Sequence, residues 1–182
     1  MRGRVLTMKK WLLALVTALV LAACGDTDAA DDTAKTNEEI IEEGTISVEM
    51  LGGSFVEDSS VPTEEEEKLL AAFNEYVESF NEQDIDRYVQ TLSKNPKGFE
   101  YNEELEAVKQ VFAQYSVIDQ KAEDITIVKY NEEEAQVASN MTANMVEESS
   151  GIEMTKEARV VVVFVKEEGD WKVSIIRSMG KQ

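Results

Sequence analysis

FNEYVESFNEQDIDRYVQTLS, Phe73 to Ser93, decides the fold. Phe73, Tyr76, Val77 and Phe80 recur at helical spacing, and Leu69 and Leu70 carry the same stripe one turn upstream. Thr63-Glu64-Glu65-Glu66 reads as a capping box that opens this helix, which is expected to end near Glu82. Asp84 then caps a second, short helix with Ile85, Tyr88, Val89 and Leu92 on its apolar face, stopped by Asn95-Pro96. Asn102 is expected to cap a third, with Leu105, Val108, Val111, Phe112 and Tyr115 along its buried stripe. Three amphipathic helices in succession need a flat apolar surface to cover.

The second half supplies it. Ile118 to Tyr130 is rich in β-branched residues, and from Ala135 to Met145 apolar positions alternate with Gln136, Asn140, Thr142 and Asn144. Arg159 to Lys166 contains the run VVVVFV, and a last strand, Trp171 to Ile176, follows the turn Glu168-Gly169-Asp170. Polar alternation predicts one wet face, whereas the valine run predicts a central strand covered on both faces. Helices first and an antiparallel sheet second make an α+β domain over residues 63–182.

This order resembles the nuclear transport factor 2-like superfamily. The resemblance rests on the N-x-x-D break between the first two helices in Phe73 to Ser93, and on the closing hairpin VVFVKEEGDWKVSII, Val162 to Ile176. It implies a cone in which three helices pack on a curved antiparallel sheet of about four strands. It also implies homodimers that pair through their sheets.

Some relatives of this kind are isomerases that use carboxylates and tyrosines deep in the cone, and Tyr76 falls where their first-helix tyrosine meets a developing oxyanion. An isomerase-like site also needs an aspartate base after the second helix and a protonated acid on the strand before the closing hairpin. Here the strand offers Val161, Val162 and Val163, and the earlier segment NPKGFEYN offers Glu100 alone. Without a positioned base, one tyrosine supplies a fraction of the barrier reduction. The reading is therefore no catalytic residues, with Tyr76, Phe80, Tyr115 and Glu100 as candidate pocket-lining positions. A small-molecule enzyme using Tyr76 with Glu100 or Asp119 is the alternative.

Upstream of the domain, Arg2, Arg4, Lys9 and Lys10 precede the apolar run Trp11 to Ala22, the basic-then-apolar order of an export signal. The run is too short for a comfortable span of about 20 residues. L-A-A-C, Leu21 to Cys24, resembles a bacterial lipobox. That resemblance implies cleavage between Ala23 and Cys24, acylation of the Cys24 thiol and residence on the extracytoplasmic face of the cell membrane. Two acyl chains, at roughly 0.8 kcal/mol per buried methylene, hold a protein on a bilayer. Met8 is an alternative start that leaves the same mature chain.

Residues 24–62 read as an acidic tether, with 11 acidic residues against Lys35 alone between Gly25 and Pro62. Within it TISVEMLGGSFV, Thr45 to Val56, has strand character, with a short strand expected at 45–51. Asp26, Asp28, Asp31 and Asp32 lack the glycine and distal glutamate of a calcium loop and read as solvated linker.

Composition narrows the partners. The chain has 18 basic and 37 acidic residues, a net charge of −19. Without the four leader cations the count is 14 against 37, or −23. Such a field repels nucleic acid phosphates. Histidine is absent, which removes the usual Ser-His and Cys-His pairs and most zinc sites. No cofactor or metal is expected; the partners are the membrane through Cys24 and an envelope protein, peptide or small ligand.

Overall fold

The structure, a computed structural model, describes residues 50–51 and 54–180. The leader, Cys24, the tether up to residue 49 and the expected strand positions 45–49 lie outside the described residues. What is described begins with a small hairpin, β1 (Met50–Leu51) and β2 (Ser54–Phe55). Three helices follow: α1 (Thr63–Asn81), α2 (Ile85–Thr91) and α3 (Tyr101–Gln114). Four long strands complete the chain: β3 (Tyr115–Tyr130), β4 (Glu134–Glu147), β5 (Glu153–Glu167) and β6 (Asp170–Gly180). They form an antiparallel sheet in the order β3-β4-β5-β6. Register shifts interrupt β3 and the β5–β6 pairing, and such bulges bend strands, giving the sheet its curvature.

Helix ends explain themselves locally, and two differ from the expected ones. Asp84 caps α2 as expected, its carboxylate accepting from the Arg87 N–H at 3.0 Å. The capping box at Thr63 does not form. Pro62 occupies the cap in an extended conformation, and its carbonyl accepts from the N–H groups of Glu65 and Glu66 at 2.9 Å each. Glu64, Glu65 and Glu66 still place acid in the first turn, where the helix dipole favours it. Asn102 does not cap α3 either, because the helix starts at Tyr101, two residues earlier than that cap implies, with Glu100 as its cap residue.

The core lies between helices and sheet. Leu69, Phe73 and Val77 of α1 and Tyr88 of α2 meet Val137, Val162, Phe164 and Val173 from the sheet, all buried. Val161 to Phe164 are each 0–1 % exposed, so the valine run is covered on both faces. The wet face expected for β4 is drier than its alternation implies, since Gln136 is 1 % exposed beside Lys129 and Val163 in register.

Both edges of the sheet are engaged. Along β3, the Asn81 side-chain amide imitates a neighbouring strand: its Nδ2 donates to the Gln120 carbonyl at 2.9 Å and its Oδ1 accepts from the Gln120 N–H at 2.8 Å. Asp58 donates its N–H to Ile127 at 2.8 Å and accepts from the Tyr130 N–H at 2.9 Å, so the chain is tied to the sheet before α1 begins. Along β6, Leu92 bridges to Val173, and Ser93 donates to the Val173 carbonyl at 2.8 Å. Gly98 follows on this edge, and a Cβ there would stand 2.9 Å from the Ile175 Cα, so the close approach requires glycine. These contacts bring the end of α2 to the β5–β6 hairpin.

Candidate functional site

Tyr76 and Tyr88 face each other across the α1–α2 junction, ring centroids 5.7 Å apart. Phe80 meets Tyr88 edge-on at 5.6 Å and Phe112 edge-on at 5.1 Å, so four rings from three helices close one cluster. The Tyr88 hydroxyl donates to Glu104 Oε1 at 2.8 Å. Burial, reinforced by the neighbouring Glu104 charge, pushes the pKa of both phenols well above the ordinary tyrosine value, so both remain protonated donors. Chemically this is a phenol–phenol–carboxylate chain inside a ring cluster.

The candidate positions divide. Tyr76 and Phe80 stand in the cluster. Tyr115 sits where α3 passes into β3, its hydroxyl 3.8 Å from Met154 Sδ. Glu100 is exposed at the residue before α3. Asp119, with its side chain 46 % exposed, pairs with Lys121 at 3.3 Å. The carboxylate at the tyrosines is instead Glu104, which sequence reasoning missed. Its signal was position: it stands one helical turn before Val108, the buried residue of α3.

A second carboxylate is held in a different way. Glu65 Oε2 accepts from Lys166 Nζ at 2.7 Å and from Trp171 Nε1 at 2.9 Å, while Lys166 lies 5.0 Å from the Trp171 ring centroid. Hydrogen bonding from Lys166, aided by Lys68 and Trp171, holds the Glu65 carboxyl at about 2, well below its ordinary 4.5. It ties the start of α1 to the closing hairpin.

Beside that tie runs a groove of about 350 Å³ between the outward side of α1, α2 and the β5–β6 turn. Lys68, Ala72, Glu75, Arg87, Gln90 and Lys172 are among its walls. Arg87 grips Glu75 with two parallel bonds, Nε to Oε1 at 2.9 Å and a terminal nitrogen to Oε2 at 2.8 Å, and its other terminal nitrogen engages Glu82. Its hydrogen bond from Arg87 lowers the Glu75 pKa. Lys172 donates to the Gln90 carbonyl at 2.9 Å, and Lys68 to Glu64 at 2.7 Å and Glu65 at 3.2 Å. Among the described residues there is no cluster of three or more metal-ligating side chains, and no helix is long and apolar enough to cross a membrane.

The architecture is shared with solved structures. A proposed aromatic ring hydroxylase from Novosphingobium aromaticivorans superimposes with a TM-score of 0.63 at 15 % identity, over 68 % of this chain and 93 % of its own. A proposed dehydratase of the nuclear transport factor 2-like family from Streptomyces avermitilis gives 0.60 at 12 %, over 66 % and 99 %. A nuclear transport factor 2-like superfamily protein from Salmonella enterica gives 0.59 at 14 %, over 64 % and 90 %. At such identities the likeness is one of fold. No curated protein matches the chain. Residues 71–179, which hold the four rings of the cluster and most of the groove, match the model of the anti-sigma-I factor RsgI9 C-terminal domain, and the chain belongs to that family.

Proposed function

We propose that this chain is a lipoprotein anchored through Cys24 on the extracytoplasmic face of the cell membrane, whose cone-shaped domain binds a small ligand, a peptide or another envelope protein without catalysis. The observation that carries the binding reading is the aromatic packing between the helices. Where a catalytic cone needs a base over open space, Tyr76, Phe80, Tyr88 and Phe112 pack ring on ring, and the Tyr88 proton is already directed at Glu104. The family's name, taken from a domain of an anti-sigma-I factor, accords with binding rather than turnover. The anchor rests on Leu21-Ala22-Ala23-Cys24 and the basic-apolar order before it. Mass spectrometry of the membrane-associated protein tests it: a mature chain beginning at a diacylglyceryl-modified Cys24 is expected. An unacylated cysteine, or cleavage elsewhere, overturns it.

One observation favours a second reading, a small-molecule enzyme. Tyr76 and Glu104 share Tyr88 between them, so opening of the Tyr88–Glu104 bond would place a phenol donor and a carboxylate base in one chamber. Two of the fold neighbours are described as a hydroxylase and a dehydratase. Here the carboxylate is Glu104 rather than Glu100 or Asp119. A turnover of a small cyclic substrate that disappears in both Tyr76→Phe and Glu104→Gln would establish this reading.

A further inference from the structure

The groove beside α1 has unequal hydrogen-bonding resources. Its acids are spent or at the rim: both Glu75 oxygens are taken by Arg87, and Asp170, at the hairpin turn with its side chain 78 % exposed, forms only a 3.8 Å ion pair with Lys172. Its cations are not fully spent. An ammonium has three N–H donors. Among the described residues, Lys172 gives one to the Gln90 carbonyl and stands 3.8 Å from Asp170, beyond hydrogen-bond length. Lys68, which lines the groove from α1, gives two to Glu64 and Glu65. Ala71 and Ala72 line the groove with small side chains, and about 350 Å³ is within the range of small-molecule sites.

We propose that this groove is a binding site for a small organic carboxylate. The carboxylate accepts from Lys172 and Lys68, and a short apolar body lies over Ala71 and Ala72. A cation finds no uncommitted carboxylate on the walls beyond the turn, and a neutral ligand offers the lysines no charge-assisted hydrogen bond. The strongly negative chain repels anions at a distance, so selectivity resides in these short contacts.

The inference rests on reading the domain as a binding module, but acylation of Cys24 and packing of the interior are measured separately, so failure here is distinguishable from failure there. The test is titration of the full chain in detergent micelles with benzoate, benzamide and benzylamine, followed by amide chemical shifts. Saturable shifts with benzoate alone, centred on Lys68, Ala72, Gln90 and Gly169 to Lys172, are expected. Lys172→Gln should weaken benzoate about tenfold, the loss of one charge-assisted hydrogen bond. Lys68→Gln, at a side chain 46 % exposed, carries the same prediction should Lys172→Gln disturb the hairpin. Absence of saturable shifts, equal binding of benzamide or benzylamine, or shifts centred on Tyr76, Phe80 and Phe112 would each overturn the proposal.

Discussion

Helix α1 has two working sides, and they are built on opposite rules. Its inner side sets Leu69, Phe73, Tyr76, Val77 and Phe80 against sheet and neighbouring helices, ring against ring. Its outer side sets Lys68, Ala71, Ala72 and Glu75 along a groove of about 350 Å³. At 3.6 residues per turn, adjacent positions such as Glu75 and Tyr76 point about 100° apart, which is enough to serve both. The groove's space and uncommitted donors are found where side chains are small or charged. On the proposed reading the tyrosines of the cone act as packing, with the Tyr88 hydroxyl engaged by Glu104, and the surface that receives a ligand is outside.

The inner side should be sensitive and the tie beside the groove conditional. Phe73→Ala, at a residue 0 % exposed in the core, is expected to cost about 3–5 kcal/mol of unfolding free energy. Urea denaturation measures it, and a loss below 1 kcal/mol would mean the interior is looser than the ring contacts imply.

Glu65→Gln should act through pH. The folded carboxyl is held at about 2 against an ordinary 4.5, so its charged contacts stabilise the fold above about 4.5, and that contribution is lost as pH falls toward 2. The variant is expected to be less stable at pH 7 and to show a shallower decline between pH 4.5 and 2. An unchanged acid limb in melting curves would place the stabilisation elsewhere.

Smaller effects belong to the hydroxyls. Tyr88→Phe removes the donor to Glu104 and keeps the ring, for a cost of about 1 kcal/mol. Tyr76→Phe should cost less, and the two together, measured with Glu104→Gln in a mutant cycle, should couple because they share one chain of contacts.

Most of the fold was legible because it is written in periodicity. The helical stripe from Leu69 to Phe80, the Asp84 cap and the valine run at Val161 to Val163 each survive in the structure with their expected role. What was missed is of two kinds. Competition between neighbours displaced the caps: Pro62 takes the cap position ahead of Thr63, and its carbonyl accepts from the N–H groups of Glu65 and Glu66. Juxtaposition across the chain hid the sites. Glu104 reads as one more acid on an acidic helix until Tyr88 is seen opposite it. The groove is assembled from outward residues of α1, α2 and the β5–β6 turn, joined by the Leu92–Val173 bridge, and exposed positions carry no period from which to foresee it.

The packing of the interior is tested most directly by xenon, which enters dry apolar cavities and leaves close-packed cores alone. Amide and methyl chemical shifts of the full chain, followed as xenon pressure rises, should show no saturable change at Phe73, Tyr76, Phe80, Tyr88 or Phe112. Saturable shifts at those five residues would reveal an open chamber beside the Tyr88–Glu104 pair and contradict the reading of this domain as a binding module with a packed cone.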